Sequence, residues 1–273
     1  MILFIFEGEK REPKILETIK TLFFPEDSEE TIIVSYCNNI YHLYSKLAEA
    51  NTFNNNEIDI ESVIQFLRED LLKRHISDAP IQQIEYIDEI SQVFLFFDYD
   101  GHNSNYTNEE LNNQLCSMLQ FFDNESVHGK LYISYPMIES IYDTFNYKDK
   151  DFNNRKLLIN DCVNFKSIFS NYDCLTFDKN TVRHYLGKET DGDLYNFKLV
   201  QLEEKKDKVK NNWQIVIDLT VNKVLFLCGK NDFKICSQFL IFSNQMEKYI
   251  CIDKSISVLN GFPLFLKEYF KVL

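Results

Sequence analysis

The chain has 273 residues, 45% hydrophobic, 15% aromatic and 26% charged, which excludes intrinsic disorder and supplies enough apolar side chains for a large core. A formal charge of −13 argues against a protein that grips nucleic acid through a broad basic surface, since such binding depends on Lys and Arg neutralising phosphates. The opening MILFIF is six apolar residues before Glu7, too short to cross a bilayer and without a basic flank or cleavage site, so a cytoplasmic protein with no membrane partner is expected.

In chain order, ILFIF at 2–6 reads as a strand buried on both faces that turns at Glu7-Gly8. The stretch from Pro13 to about Phe24 has helical spacing, TIIVSY at 31–36 is a second strand, and NNIYHLYSKLAEA returns to helical periodicity. Residues 51–90 open with an Asn-rich loop and continue into the amphipathic IESVIQFLREDLLKRH, a helical insertion that delays the third strand, VFLFF at 93–97. EELNNQLCSMLQFF is helical, and LYISY at 131–135 is a fourth strand ended by Pro136. This alternation predicts an α/β fold with a parallel sheet flanked by helices.

Beyond residue 146 the rhythm changes. RKLLINDCVNFKSIF and FKLVQLEEKKDKVKNNWQIVIDL have helical spacing, VNKVLFLCG and SQFLIF fit either strand or buried helix, and SISVLNGFPLFLKEYF is a helix or strand docking an aromatic end. The boundaries are therefore an α/β domain over 1–145 and a mainly helical region over 146–273. Seven cysteines with no CxxC pair read as free thiols, and no glycine-rich phosphate loop is present, so ATP hydrolysis would fall to a partner ATPase.

In open parallel sheets ligands sit beyond the carboxyl ends of the strands, and acidic residues occur there. Glu7 follows the first strand, Asp98 and Asp100 the third, and Glu139 the fourth. Asp98 and Asp100 are two apart, which in extended backbone puts both carboxylates on one side. Adjacent carboxylates resist joint ionisation unless a cation or proton is shared, and hard oxygen donors without patterned His or Cys point to Mg²⁺ or Mn²⁺.

The segments FIFEGEKREP at 4–13, LFFDYDGH at 95–102 and YISYPMIES at 132–140 resemble the Toprim domain, in particular its RloB-type branch, related to the OLD-family nucleases and to Toprim effectors of bacterial anti-phage defence. That domain is a Rossmann-like parallel α/β unit with a Glu after its first strand and an Asp-x-Asp after its third. The resemblance covers residues 1–145, and it departs at Arg11, where the RloB-type proteins usually have Thr. It implies a metal-dependent endonuclease acting on DNA or RNA, transfer RNA included. The alternative is a catalytically quiet Toprim module that binds nucleic acid or a partner ATPase.

Under that reading Mg²⁺ held by Glu7, Asp98 and Asp100 polarises the scissile phosphate and activates a water, and Glu12 and Glu139 complete a second metal site. Lys10 or Arg11 neutralises charge developing on the phosphate, and His102 is a lesser candidate for general acid. The plainer alternatives are solvated turn carboxylates for Glu7 and the Asp pair, and helix-dipole complementation for Glu12 and Glu139. No sequence feature singles out one of the 15 tyrosines as a nucleophile. An acidic chain that handles a polyanion needs a partner, a homodimer interface or a small focused basic patch.

Overall fold

The structure, a computed structural model, describes residues 1–25, 28–54, 58–77, 79–100, 107–146, 151–165 and 199–270. Its centre is a five-stranded sheet. β1 (Ile2–Phe6), β2 (Thr31–Ser35), β3 (Gln92–Asp98) and β5 (Gly129–Ser134) run parallel, and β4 (Asp123–Asn124) pairs antiparallel with β5, in the order β2-β1-β3-β5-β4. All five residues of β1 are buried, which is why the run carries no polar alternation.

The helices of this half are α1 (Arg11–Phe23), α2 (Ile40–Glu49), α3 (Ile60–Lys73) and α4 (Asn108–Phe121). Three of them begin at side-chain caps that satisfy otherwise orphaned N–H groups. Asn39 Oδ1 accepts from the His42 N–H at 3.0 Å, Asp59 Oδ1 from the Ser62 N–H at 2.9 Å, and Thr107 with Glu110 forms a reciprocal capping box. Among its described residues the segment 51–90 holds α3 and three short 3-10 turns, Thr52–Asn54, Pro80–Gln83 and Ile87–Glu89.

In the C-terminal part α5 (Leu199–Cys228) runs on through VNKVLFLC, so that ambiguous stretch is helix, and SQFLIF falls in α6 (Gln238–Gln245). The helical spacing of RKLLINDCVNFKSIF is overruled as far as Asn164, and 166–169 lie outside the described residues: Lys156–Leu158 forms a strand, β6, antiparallel to β7 (Ser255–Ser257), and Ile159–Asn164 is a 3-10 turn. The Leu157 to Ile256 register supplies a pairing partner that local periodicity does not register. The tail is strand and helix in turn, β7 followed by α7 (Gly261–Tyr269).

α7 lies on the sheet itself. Phe262 stacks on Phe96 at 4.5 Å between ring centroids, and Phe265 meets Phe94 edge-on at 5.0 Å and Phe4 at 5.7 Å. Gly261 permits this approach, since a Cβ there would stand 3.0 Å from the Tyr132 Cβ. The tail also braces the turn after β5. Tyr135 and Leu259 exchange backbone hydrogen bonds of 2.8 and 3.0 Å, Ser140 Oγ donates to the Leu259 carbonyl at 2.7 Å, and Asn260 Nδ2 donates to the Ile138 carbonyl at 2.9 Å.

The same turn, the 3-10 segment Ile138–Asn146, is tied to α5 by charge. Asp143 is buried and pairs with Lys223 Nζ at 3.3 Å and with Arg155 Nη2 at 2.5 Å, while the Lys223 ammonium also lies 4.7 Å from the Phe152 ring centroid. Lys223 is only 1% exposed, so its charge depends on these partners, and burial pulls its pKa below the ordinary lysine range against the opposing pull of Asp143. Removing one partner from such a group strands the other. Asp143→Ala should therefore cost about 3–5 kcal/mol. Lys223→Met, which leaves Asp143 paired with Arg155, should cost less, with urea denaturation as the measurement.

Candidate metal centre

The connection β1–α1–β2 runs to one side of β1, and the chain then crosses back over β1 to place β3 on the other side. Between β1 and β3 the strand order reverses, and the crevice beyond their carboxyl ends is where ligands bind in such sheets. Glu7 is the residue after β1 and Asp98 the last of β3, so both stand at that crevice.

Hydrogen bonds fix the geometry on both sides. The Glu7 N–H donates to the Phe96 carbonyl at 3.0 Å and the Glu7 carbonyl accepts from the Cys37 N–H at 3.0 Å, so the main chain of Glu7 is bonded to β3 and to the end of β2. Glu7 Oε2 then accepts the Asp98 N–H at 3.0 Å. Beyond Asp98, Tyr99 turns into the core and donates its hydroxyl to Asn112 Oδ1 at 3.0 Å. The residues flanking it, Asp98 and Asp100, are only partly buried, as the alternation of extended backbone requires. Glu12 comes from the first turn of α1 and folds back over the Gly8 turn, its Oε2 2.9 Å from where a Cβ of residue 8 would lie. Gly8 is the residue type that leaves this space.

Four of the predicted site residues thus act on one another. Burial, then Asp100, then Glu12 raise the Glu7 carboxyl to about 8, opposed only by the Asp98 N–H. Burial first, then Glu7, Glu12 and Asp100, push Asp98 well above the ordinary carboxylate range, and an N–H from Ile138 opposes them. At neutral pH this coupled group retains a proton, which belongs to the cluster rather than to one residue.

Glu139 is buried and ion-paired with Arg11, so Arg11 spends its charge on a carboxylate of the neighbouring turn. Lys10 is exposed at the start of α1. His102 lies outside the described residues. A wide groove lined by Met1, Lys20, Ile32, Pro80 and Tyr86 opens at the amino ends of the strands, away from every one of these carboxylates.

Among the described residues, no three Asp, Glu, His or Cys side chains stand close enough together to coordinate one ion as they are. A divalent cation held there would have to draw the oxygens together. The donor set is all carboxylate, the ligand chemistry that Mg²⁺ or Mn²⁺ takes, and among the described residues the buried hydroxyl of Tyr41 has no hydrogen-bond partner. Tyr41 is 1% exposed and close enough to Asp100 and Glu7 to feel their charges. Sequence reading does not find it, because it sits on α2 in an ordinary amphipathic pattern. Its signal is spatial.

The proton shared by the carboxylates sets a pH dependence. Glu7 binds its proton more tightly folded than unfolded, so its contribution to stability is complete at low pH and fades as pH rises through about 8. In EDTA-treated protein the Tm should fall from pH 5.5 to 8.5, by the equivalent of a few kcal/mol, on the order of 4. Glu7→Gln, which stays neutral and keeps an oxygen for the Asp98 N–H, should flatten that fall in parallel thermal melts.

Compared with protein-family models, with curated proteins and with solved structures, the chain finds no match.

Proposed function

We propose that the chain is a Toprim-type, Mg²⁺- or Mn²⁺-dependent nuclease that hydrolyses phosphodiester bonds in DNA or RNA, as an effector of the anti-phage kind. The observation that supports it best is the gathering of Glu7, Glu12, Asp98 and Asp100 at the crevice between β1 and β3, from positions 7 to 100 of the chain, at the ends of two strands and the start of a helix. A fold that served only to stabilise itself has no use for neighbouring carboxylates that push Glu7 and Asp98 above their ordinary range.

When bound, the cation supplies Lewis acidity toward a phosphate oxygen and lowers the pKa of a water. The residues of the chain divide the remaining work. Glu7, Asp98 and Asp100 would hold the cation and would release their shared proton to it, so that metal affinity would rise with pH. Asp98 is held by the Ile138 N–H and Glu7 by the Asp98 N–H, which sets where the charge sits. Glu12 adds negative charge from the α1 side, and Lys10, exposed at the head of α1, would meet phosphate. Arg11 is bound to Glu139, so a phosphate that attracts Arg11 would free that carboxylate. The negative overall charge makes the cation part of substrate binding as well as chemistry, because the polyanion has to approach an acidic chain. A homodimer or a partner ATPase would supply the missing basic surface.

The test is cleavage of plasmid DNA, single-stranded DNA and total RNA with Mg²⁺ or Mn²⁺, comparing wild type with Asp98→Asn. The substitution is nearly isosteric and should reduce metal-dependent cleavage by at least about a hundredfold, the scale on which loss of one preorganised electrostatic group acts. Wild-type cleavage that survives in Asp98→Asn would sink the assignment of this site. No cleavage by either protein under any of these conditions, with no Mn²⁺ bound, would leave the quiet binding module.

A further inference from the structure

The sheet has an open edge at β2. This strand is the outer one in the order β2-β1-β3-β5-β4 and pairs with β1 on its inner side. The ladder to β1 fixes which way its main-chain groups point. The Ile2 N–H donates to the Glu30 carbonyl at 2.8 Å and the Tyr36 N–H to the Phe6 carbonyl at 2.7 Å, so Ile32 and Val34, between them, turn their N–H and C=O toward β1. Thr31 and Ile33 turn theirs outward, and among the described residues no hydrogen bond reaches either main chain from that side. Unpaired groups in such a row are a template for another strand.

The same residues border the wide groove at the amino ends of the strands. Its volume of about 580 Å³ is that of a cleft which takes an organic molecule or a short stretch of chain. Ile32, Ile33, Ile84 and Tyr86 give it apolar walls, and the Tyr86 side chain is 60% exposed. Glu17, Glu30, Glu85 and Glu89, all exposed, give it a negative rim. The cations beside that rim are already engaged: Lys20 lies 3.7 Å from Glu17, and the Met1 ammonium lies 3.2 Å from Glu29 and donates to the Glu89 carbonyl at 2.7 Å.

We propose that the β2 edge is a docking site for an extended, basic segment of a partner protein, which adds as a further strand beside Thr31 and Ile33 and alternates Lys or Arg with apolar residues. Each feature of the groove has its share in that recognition. The outward N–H and C=O groups take the main chain, the isoleucines and Tyr86 take the apolar side chains, and the four carboxylates select positive charge. A second copy of this chain is the wrong occupant, because β2 laid against β2 would bring the two acidic rims together. The groove lies apart from the carboxylate cluster beyond β1 and β3, so the inference does not rest on the metal-dependent reading.

The experiment is fluorescence anisotropy with a short labelled peptide of alternating Lys and Val, its Glu and Val counterpart, and its fully N-methylated form, which keeps the charges and donates no main-chain hydrogen bond. Wild type should bind the Lys and Val peptide, less tightly as NaCl is added, and should not bind the acidic one. The methylated peptide should bind at least about tenfold more weakly, the scale of one net hydrogen bond. Charge reversal of two exposed rim residues, Glu85→Lys with Glu89→Lys, should weaken binding by at least about as much. Amide hydrogen exchange at Thr31 and Ile33 should slow when the peptide binds, which attraction of charge alone would not produce. Thr31→Pro, at the first position of the strand where proline costs no ladder bond, should also weaken binding. Equal binding of the methylated peptide would leave only a sticky acidic surface and overturn the proposal, as would undiminished binding by the charge-reversed protein or none by wild type. A dimer in sedimentation that Thr31→Pro dissolves would give the edge to a second copy and likewise overturn it. If Thr31→Pro does not fold, the methylated peptide and the exchange rates, both read on wild type, decide.

Discussion

Carboxylates that sit together in a partly buried crevice repel one another, and the rest of this structure can be understood as the framework that keeps them there. Burial and the repulsion of neighbouring carboxylates raise Glu7 to about 8 and push Asp98 well above the ordinary carboxylate range. Backbone N–H groups oppose that rise, from Asp98 toward Glu7 and from Ile138 toward Asp98. An arrangement of this kind relaxes unless its backbone is held, and each of the two strands that deliver it is buried through its apolar run.

The hold comes from aromatic packing. Phe4 and Phe6 of β1 stand beside Phe94 and Phe96 of β3 on one face, and Phe262 and Phe265 of α7 close over them. The rings that fix the relative position of β1 and β3 are the rings that fix Glu7 against Asp98. A sheet in which these two strands shifted by one residue would turn Glu7 and Asp98 away from the crevice together. Register and site are one specification.

Much of this is legible in the sequence and some of it is not. Strands β1, β2, β3 and β5 are continuous apolar or β-branched runs, because strands covered on both faces need no polar alternation, and the acidic residues that end them are visible at once. β4, of two residues, carries no periodicity to read. β6 has the composition of a helix start and becomes a strand because β7, about a hundred residues later, offers it a register. At the site, motif order brings out Glu7, Asp98 and Asp100, whose meaning lies in their position after a strand. It is silent on the pairing of Glu139 with Arg11 and on the orphaned hydroxyl of Tyr41, since both depend on which helix packs where.

The C-terminal region is the least legible part and is still bound to the site. The turn that carries Ile138 and Glu139 is clasped by Leu259 and Asn260 from the tail, and four residues further on Asp143 is locked to Lys223 of α5. Ile138 supplies the N–H that opposes the rise of Asp98, and its carbonyl receives Asn260 Nδ2, so one peptide segment connects the tail to the carboxylate cluster. A displacement of α5 would pull on Asp143, hence on this turn, hence on the Asp98 side of the crevice. The helical half therefore does more than cover the sheet: through Asn260 and Asp143 it sets the placement of a hydrogen-bond donor on which the charge of Asp98 depends.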